Sequence, residues 1–490
     1  MPAEDSALSE QPHATRYARL ADTLAELIHA GRLQPGDKLP PVRQISAQYQ
    51  VSQTTVFQAY RQLENRGLIS TRARSGHYVS EHAGNAARRV LAEPAAARLE
   101  REFPADVDVS QRVFSILHAV KDPQVVPLGS AFPSPELFPW SRLKRSLAHA
   151  NRFVSPWQSV SDLTPGNELL RRLIARRHLA AGMALTPDEV IITDGAMEGL
   201  NLCLQAVTQP GDVVAIESPG FYAAQQALER LHLRAVEIPV DAREGVDLAA
   251  LTDALQRHPV RACWFMTNYQ NPVGALMPDT KKRELVQLLA RREIPLIEDD
   301  VYGELYFGEV YQPPAKIWDE KGLVLYCSSF SKTLAPGYRI GWVLPGRFGK
   351  KIEQLKWMTT LSASLPAQVA IADFLEHGSY DRHLRKLRAA LETQYQQMLQ
   401  AIARHFTFEV KVSRPRGGYF LWLELPEAVS ALELHRLALA RGISLAPGPI
   451  FSIGHDYRNF IRLNYGHPHT PQIENAVAVI AGLVIAMLRG

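Results

Sequence analysis

The 490-residue sequence is short of cysteine, of long apolar runs and of net charge, and each shortage removes a class of protein. Three cysteines, Cys203, Cys263 and Cys327, cannot all pair with one another, and none stands in a CxxC spacing. A disulfide scaffold and a cysteine-ligated zinc site are therefore not expected; a reducing, cytoplasmic setting is. The longest uncharged apolar run, Ala476 to Leu488, has 13 residues. A bilayer-crossing helix needs about 20, so this run reads as a buried C-terminal helix of a soluble protein. The polar, acidic start MPAEDSALSEQPH contains no apolar stretch resembling a secretory signal.

A formal charge of +4 on this length does not by itself imply a nucleic-acid partner. Its distribution is more informative. Between Lys38 and Ser80 stand six basic residues (Lys38, Arg43, Arg61, Arg66, Arg72, Arg74) and one acid, Glu64, a local +5 suited to phosphate contact. What remains is ordinary: 46% hydrophobic and 21% charged residues, enough to build about three folding units.

The first unit reads as three helices and a hairpin. Tyr17, Leu20, Leu24, Leu27 and Ile28 share one face at helical spacing, and the Pro35-Gly36 turn follows. A second helix begins near Pro41, with Val42, Ile45 and Tyr49 inward. Ser52 suits the N-cap of a third, whose apolar face carries Val56, Tyr60 and Leu63. Two short strands, LIST and HYV, then flank the basic turn RARSG. Residues 81–125, rich in Ala, Arg and Glu and interrupted by prolines, read as a linker, helical in part over Ala86 to Phe103.

From about 126, strand-like runs alternate with helical patterns: VIIT (190–193), VVAIE (213–217), ACWFM (262–266), PLIED (295–299) and LVLYCSS (323–329), with helices such as Glu198 to Ala206 and Lys281 to Arg291 between them. That order predicts an α/β domain with a largely parallel sheet covered on both faces. After about 375, long helices and strands near FEVKV and YFLWLEL predict a smaller α+β subdomain.

Chemistry concentrates in SSFSKTLAPGYRIGW (328–342). A lysine just past a buried strand, fenced by Ser329 and Ser331 and followed by Arg339, suits a phosphorylated aldehyde: the amine takes the carbonyl as an imine while serine and arginine hold phosphate oxygens.

Two resemblances follow from these strings. LQPGDKLPPVRQISAQYQVSQTTVFQAYRQLENRGLISTRARSGHYV resembles the winged helix-turn-helix of GntR-type transcription regulators. That implies double-stranded operator DNA as a partner, with Arg43, Ser52, Gln53, Thr54 and Thr55 at the groove and a wing of Arg72, Arg74, Gly76 and His77. Gln53 stands where many relatives carry Arg; glutamine prefers adenine and arginine guanine, so operator preference does not carry over. Residues 126–470 resemble fold-type-I pyridoxal-phosphate enzymes of the aminotransferase class, and the whole chain resembles MocR-type regulators.

The second resemblance implies pyridoxal 5'-phosphate bound to Lys332 as a Schiff base. It further implies Asp299 at the pyridine nitrogen, with Asp300 the adjacent alternative, since only one of two successive strand residues faces the ring. Tyr302 and Asn271 would serve the phenolic oxygen and Phe221 the ring face. Gly195, Ala196, Met197, Ser329, Ser331 and Arg339 would hold the phosphate, and Arg462 the carboxylate of an amino-acid effector. A head-to-tail homodimer is also implied, although no tyrosine stands before Pro165-Gly166, where relatives supply one to the partner's phosphate.

The expected organisation is a DNA-binding head (14–80), linker (81–125), large cofactor domain (126–375) and small subdomain (376–490). The leading functional expectation is a regulator that senses pyridoxal phosphate, an amino compound or both. A working aminotransferase acting on an amino acid is the alternative, because binding and transamination use the same residues.

Overall fold

The computed structural model describes residues 16–29, 31–65, 68–72, 76–80, 93–94, 105–107, 110, 113–114, 124–377, 380–454 and 456–489. The chain divides into two compact units, 1–90 with 395–407, and 91–394 with 408–490.

In the head, α1 (Arg16–His29), α2 (Val42–Gln48) and α3 (Gln53–Asn65) precede an antiparallel hairpin of β1 (Ile69–Arg72) and β2 (Gly76–Val79). The expected helical faces meet in one core of Leu20, Leu24, Ile28, Ile45, Val56, Tyr60 and Leu63. Ser52 caps α3: its Oγ accepts the Thr55 N–H at 3.1 Å, leaving one fewer orphan donor at the helix start.

Part of the segment expected to be a linker pairs with the second unit: Ala105–Asp106, β3, lies antiparallel to Arg234 and Ala235, and the Ser110 N–H donates to Glu229. The helix expected over Ala86 to Phe103 lies outside the described residues, apart from 93–94.

The large sheet is built from β4 (Ile191–Thr193), β5 (Val213–Ser218), β6 (Arg234–Asp241), β7 (Gly245–Val246), β8 (Val260–Phe265), β9 (Leu296–Asp299), β10 (Val324–Ser329) and β11 (Gly341–Leu344), together with β3. Its order is β3-β6-β5-β8-β9-β10-β11-β4, with β7 on β6. The run from β6 to β10 is parallel; β11 is antiparallel to both neighbours. Strands β5, β9 and β10 are buried along their full length. They are therefore covered on both faces, which is why the sequence shows continuous apolar runs rather than alternation.

Helices between the strands include α4 (Trp140–Ala150), α5 (Gln158–Ser161), α6 (Glu168–Ala180), α7 (Ala196–Val207), α8 (Tyr222–Arg230), α9 (Leu248–Arg257) and α10 (Asp279–Arg291). Beyond the sheet come α11 (Gly349–Thr359), α12 (Leu365–Glu376) and the 26-residue α13 (Tyr380–His405).

The smaller sheet, ordered β12-β13-β15-β14, is antiparallel: β12 (Lys411–Val412), β13 (Phe420–Glu424), β14 (Ala446–Pro447) and β15 (Phe460–Asn464). The segment at 126–134 hydrogen-bonds to it, through Ser444 N to Val126 O, Asn464 N to Leu128 O and Ser134 N to Gly466 O.

Helix α14 (Ala431–Leu439) packs against the last helix, α15 (Pro471–Arg489). By length and composition alone, α15 is long and apolar enough to cross a bilayer. Here Ile473, Val477, Ile480 and Val484 form one buried face at helical spacing, as the sequence predicts for this segment.

Candidate cofactor site

The site is assembled where β4, β9 and β10 end. Strand β4 runs into α7 through Gly195, whose φ of 75° and ψ of 171° belong to a region that only glycine enters freely. A Cβ built there would lie 2.8 Å from Cζ of Arg339. Gly341 is equally constrained, its Cβ position being 2.7 Å from the Ala196 nitrogen. Two glycines thus let the start of α7, including Ala196 and Met197, lie against the arginine. Arg339 itself has φ 54° and donates to the Ser331 Oγ at 3.1 Å. The Ser331 N–H in turn donates to the Ser329 Oγ at 3.4 Å. Helix N–H groups, hydroxyls and a guanidinium together make an anion cradle.

Lys332 follows directly. Its Nζ donates to the Ala131 carbonyl at 2.9 Å and lies 3.6 Å from the centre of the Phe132 ring. Burial, reinforced by Arg462 and Arg339, pulls the ammonium down to about 7 against the opposing pull of Asp299. A substantial fraction of this amine is therefore uncharged and nucleophilic at neutral pH.

The consecutive acids Glu298, Asp299 and Asp300 are all buried, and they part company. Glu298 accepts the backbone N–H groups of Ala315 and Lys316. Asp300 takes the Asn268 Nδ2 at 3.0 Å and the Tyr326 hydroxyl at 2.9 Å. Asp299 faces the other way, and its Oδ1 has no partner. Burial pushes the Asp299 carboxyl up to about 7.

Arg462, on β15 and fully buried, gives one Nη to Asn271 Oδ1 at 2.9 Å and the other to the carbonyls of Gly129 (2.9 Å) and Ser130 (3.2 Å). Its guanidinium lies 4.1 Å from the Phe420 ring centre. Tyr302 is buried edge-on to Tyr419 and Phe420, and burial raises its phenol well above the usual range. Phe221 caps α8 with its ring 4.9 Å from that of Tyr222, and no side-chain bond ties it to the others.

Asn271 Nδ2, Asp299 Oδ1 and Arg462 Nε are buried polar atoms without protein partners. Leaving such atoms unsatisfied costs about 1–3 kcal/mol each, so a ligand offering both donors and acceptors fits this place.

Sequence reasoning missed the support behind the site. Lys282 Nζ donates to Asn268 Oδ1 at 2.7 Å, and Asn268 holds Asp300. The Tyr419 hydroxyl shares the Ala131 carbonyl with Lys332. Cys203 and Cys327, far apart in sequence, bring their sulfurs within 3.5 Å as free thiols. Period-two alternation sets Glu298 and Asp300 opposite to Asp299; nothing in the sequence pointed to Lys282 or Tyr419.

In the head, Arg43, Gln53 and Thr54 are exposed around the second and third helices, while the Thr55 hydroxyl meets Ser52 at 2.8 Å. Gly76 is exposed at φ 109°, and the His77 ring packs on Tyr60 at 4.9 Å. Arg74 and the side chain of Arg72 lie outside the described residues.

Comparison with known proteins gives this arrangement its family. Residues 160–480 match aminotransferase class I and II, and residues 16–79 match the gntR family of bacterial regulatory proteins. The uncharacterized HTH-type transcriptional regulator YdcR of Escherichia coli (strain K12) is 47% identical over 469 residues, covering 96% of this chain and 99% of that one. This chain belongs to the MocR-type regulators.

A second relative of this kind, the uncharacterized HTH-type transcriptional regulator YjiR from the same strain, is 38% identical over 96% of this chain and 99% of its own. Among solved structures, the α-aminoadipate aminotransferase LysN of Thermus thermophilus superposes with a TM-score of 0.70 at 28% identity, over 78% of this chain and 100% of that one. As a MocR-type regulator the chain has a DNA-binding head and takes pyridoxal 5'-phosphate as its cofactor. The amine, the anion cradle and the orphaned polar atoms fit that molecule.

Proposed function

We propose that this transcription regulator responds to a carboxylate-bearing primary amine captured at the cofactor site, with the readout carried to the DNA-binding head. The observation that carries the reading is the half-buried Lys332 amine, pulled down to about 7 beside an anion cradle and a buried acid.

Bound pyridoxal phosphate supplies an electrophilic carbonyl carbon and an electron-withdrawing ring. The remaining work is the protein's. Lys332 offers an uncharged amine. Arg339, Ser329, Ser331 and the N–H groups at Gly195, Ala196 and Met197 hold the phosphate. Asp299 keeps a proton at the ring nitrogen, in preference to Asp300, whose oxygens are both engaged. Tyr302 and Asn271 bind the phenolic oxygen, and Phe221 covers a ring face. Arg462 receives the effector's carboxylate. An effector amine would compete with the Lys332 amine for that carbonyl carbon.

DNA contacts are assigned to Arg43, Ser52, Gln53, Thr54 and Thr55, with the wing of Arg72, Arg74, Gly76 and His77. A homodimer, head to tail, in the cytoplasm completes the reading. The exposed rings of Phe153 and Trp157 give such a dimer apolar surface to cover.

The test has two arms. Titrating the cofactor-loaded protein with amino acids should shift its visible absorbance and alter its binding to DNA upstream of its own coding region, with strong salt dependence. Turnover with 2-oxoglutarate of about 1 per second or faster, without specific DNA binding, would establish the aminotransferase reading in its place.

A further inference from the structure

Strand β10 has two faces, and the cofactor uses one. Cys327 reaches α7 through Cys203, so Tyr326 and Ser328 point to the opposite side of the sheet. There they line a separate cavity of ≈ 470 Å³, within the range of small-molecule sites.

Its floor is aromatic: Tyr326, Phe330 and Trp342, with Tyr306 and Tyr311 on the loop after β9. The His178 Nε2 accepts the Trp342 indole N–H at 3.0 Å, and burial pushes this imidazole down to about 4, so the floor carries no charge at neutral pH.

Charge lies at the edge. Arg177 is matched by Glu304 at 2.6 Å and Asp381 at 2.9 Å. Arg388 forms no ion pair with the described residues: it donates to the Glu304 carbonyl at 2.8 Å and stacks 3.7 Å from the Tyr306 ring centre. Arg385, one turn away on α13, is exposed and forms no ion pair with the described residues. The remaining acid, Glu309, is exposed on the loop and joins neither arginine.

We propose that this cavity is a second small-molecule site, taking a flat aromatic carboxylate with its ring on Trp342, Phe330 and Tyr326 and its carboxylate on Arg385 and Arg388. The occupant would touch the tyrosine whose hydroxyl holds Asp300, next in sequence to Asp299. It would therefore be an effector distinct from the amine.

The experiment is calorimetric titration of the cofactor-loaded full chain with indole-3-acetate and benzoate as probes. Binding is expected below about 1 mM. Arg385→Ala and Arg388→Ala should each weaken it about tenfold, the loss of one charge-assisted contact. Ala180→Trp, which fills the cavity from α6, should abolish it. Arg462→Lys, which alters carboxylate binding at the cofactor site alone, should leave it unchanged. Circular dichroism confirms that each variant is folded. No binding at several millimolar would overturn the proposal, as would binding lost in Arg462→Lys and kept in the other three variants.

Discussion

Replacing Gly195 by alanine tests the anion cradle at its narrowest point. The backbone there, φ 75° and ψ 171°, costs a residue with a side chain about 1–3 kcal/mol. The new methyl would lie 2.8 Å from Cζ of Arg339 and closer still to its Nη2, so the guanidinium must leave. Arg339 is tied to Ser331, and its own φ of 54° restricts how it can yield. A charged hydrogen bond to the cofactor phosphate is worth about 1.5–3 kcal/mol, so losing it weakens cofactor binding roughly 10- to 150-fold. Urea unfolding of the cofactor-free protein reads the backbone strain, and absorbance titration with pyridoxal phosphate reads the lost contact. Gly337→Ala, in the turn before Arg339, is the control, because no atom lies within 4 Å of its Cβ position. If Gly195→Ala bound cofactor within about twofold of Gly337→Ala, the cradle would be wrongly drawn.

Four further outcomes are expected. Lys332→Ala should lose the cofactor's imine absorbance band altogether, as read by a spectrum of the loaded protein. Ser52→Ala should destabilise the head by about 1 kcal/mol through its lost cap, measured by thermal melting, and weaken DNA binding with it. Asp299 gives a pH test: raised to about 7 when folded, from about 4 when unfolded, its stability contribution is present below about 4 and lost as pH rises to about 7. Asp299→Asn should therefore gain stability relative to wild type across that window in cofactor-free protein, by about 4 kcal/mol; a constant difference from pH 4 to 8 would contradict this. Arg462→Lys should weaken the amino-acid response about tenfold or more at unchanged cofactor affinity, because lysine cannot reproduce the fork.

Much of the fold was legible because its signals were redundant. The head announced itself through three helical faces, a capping serine and a basic hairpin, and all five elements stand where expected. The parallel sheet was legible from uninterrupted apolar runs, since β5, β9 and β10 are buried on both faces. The contribution of 105–106 to the sheet was not, because a two-residue edge strand has no periodicity to detect. In the site, Lys332 and Arg339 sit within one short string and could be read together. Lys282, Tyr326 and Tyr419 belong to distant segments, and only the folded chain brings them to Asn268, to Asp300 and to the Ala131 carbonyl.

Arg462 shows why a candidate residue in a sequence says little about mechanism. As a string, NFIRLNY offers an arginine suited to a carboxylate and nothing more. In the fold, that arginine belongs to the small sheet, and each Nη already has a partner: Asn271, which follows β8 of the large sheet, and the carbonyls of Gly129 and Ser130. A carboxylate effector must take the guanidinium from some of these acceptors. On the proposed reading, recognition would exchange contacts that join the small sheet to its surroundings, trading neutral carbonyls for a charged partner. An amine without a carboxylate leaves those contacts intact. It should change the absorbance of the loaded protein while leaving DNA binding unaltered. An equal DNA response to such an amine and to the matching amino acid would remove Arg462 from the switch.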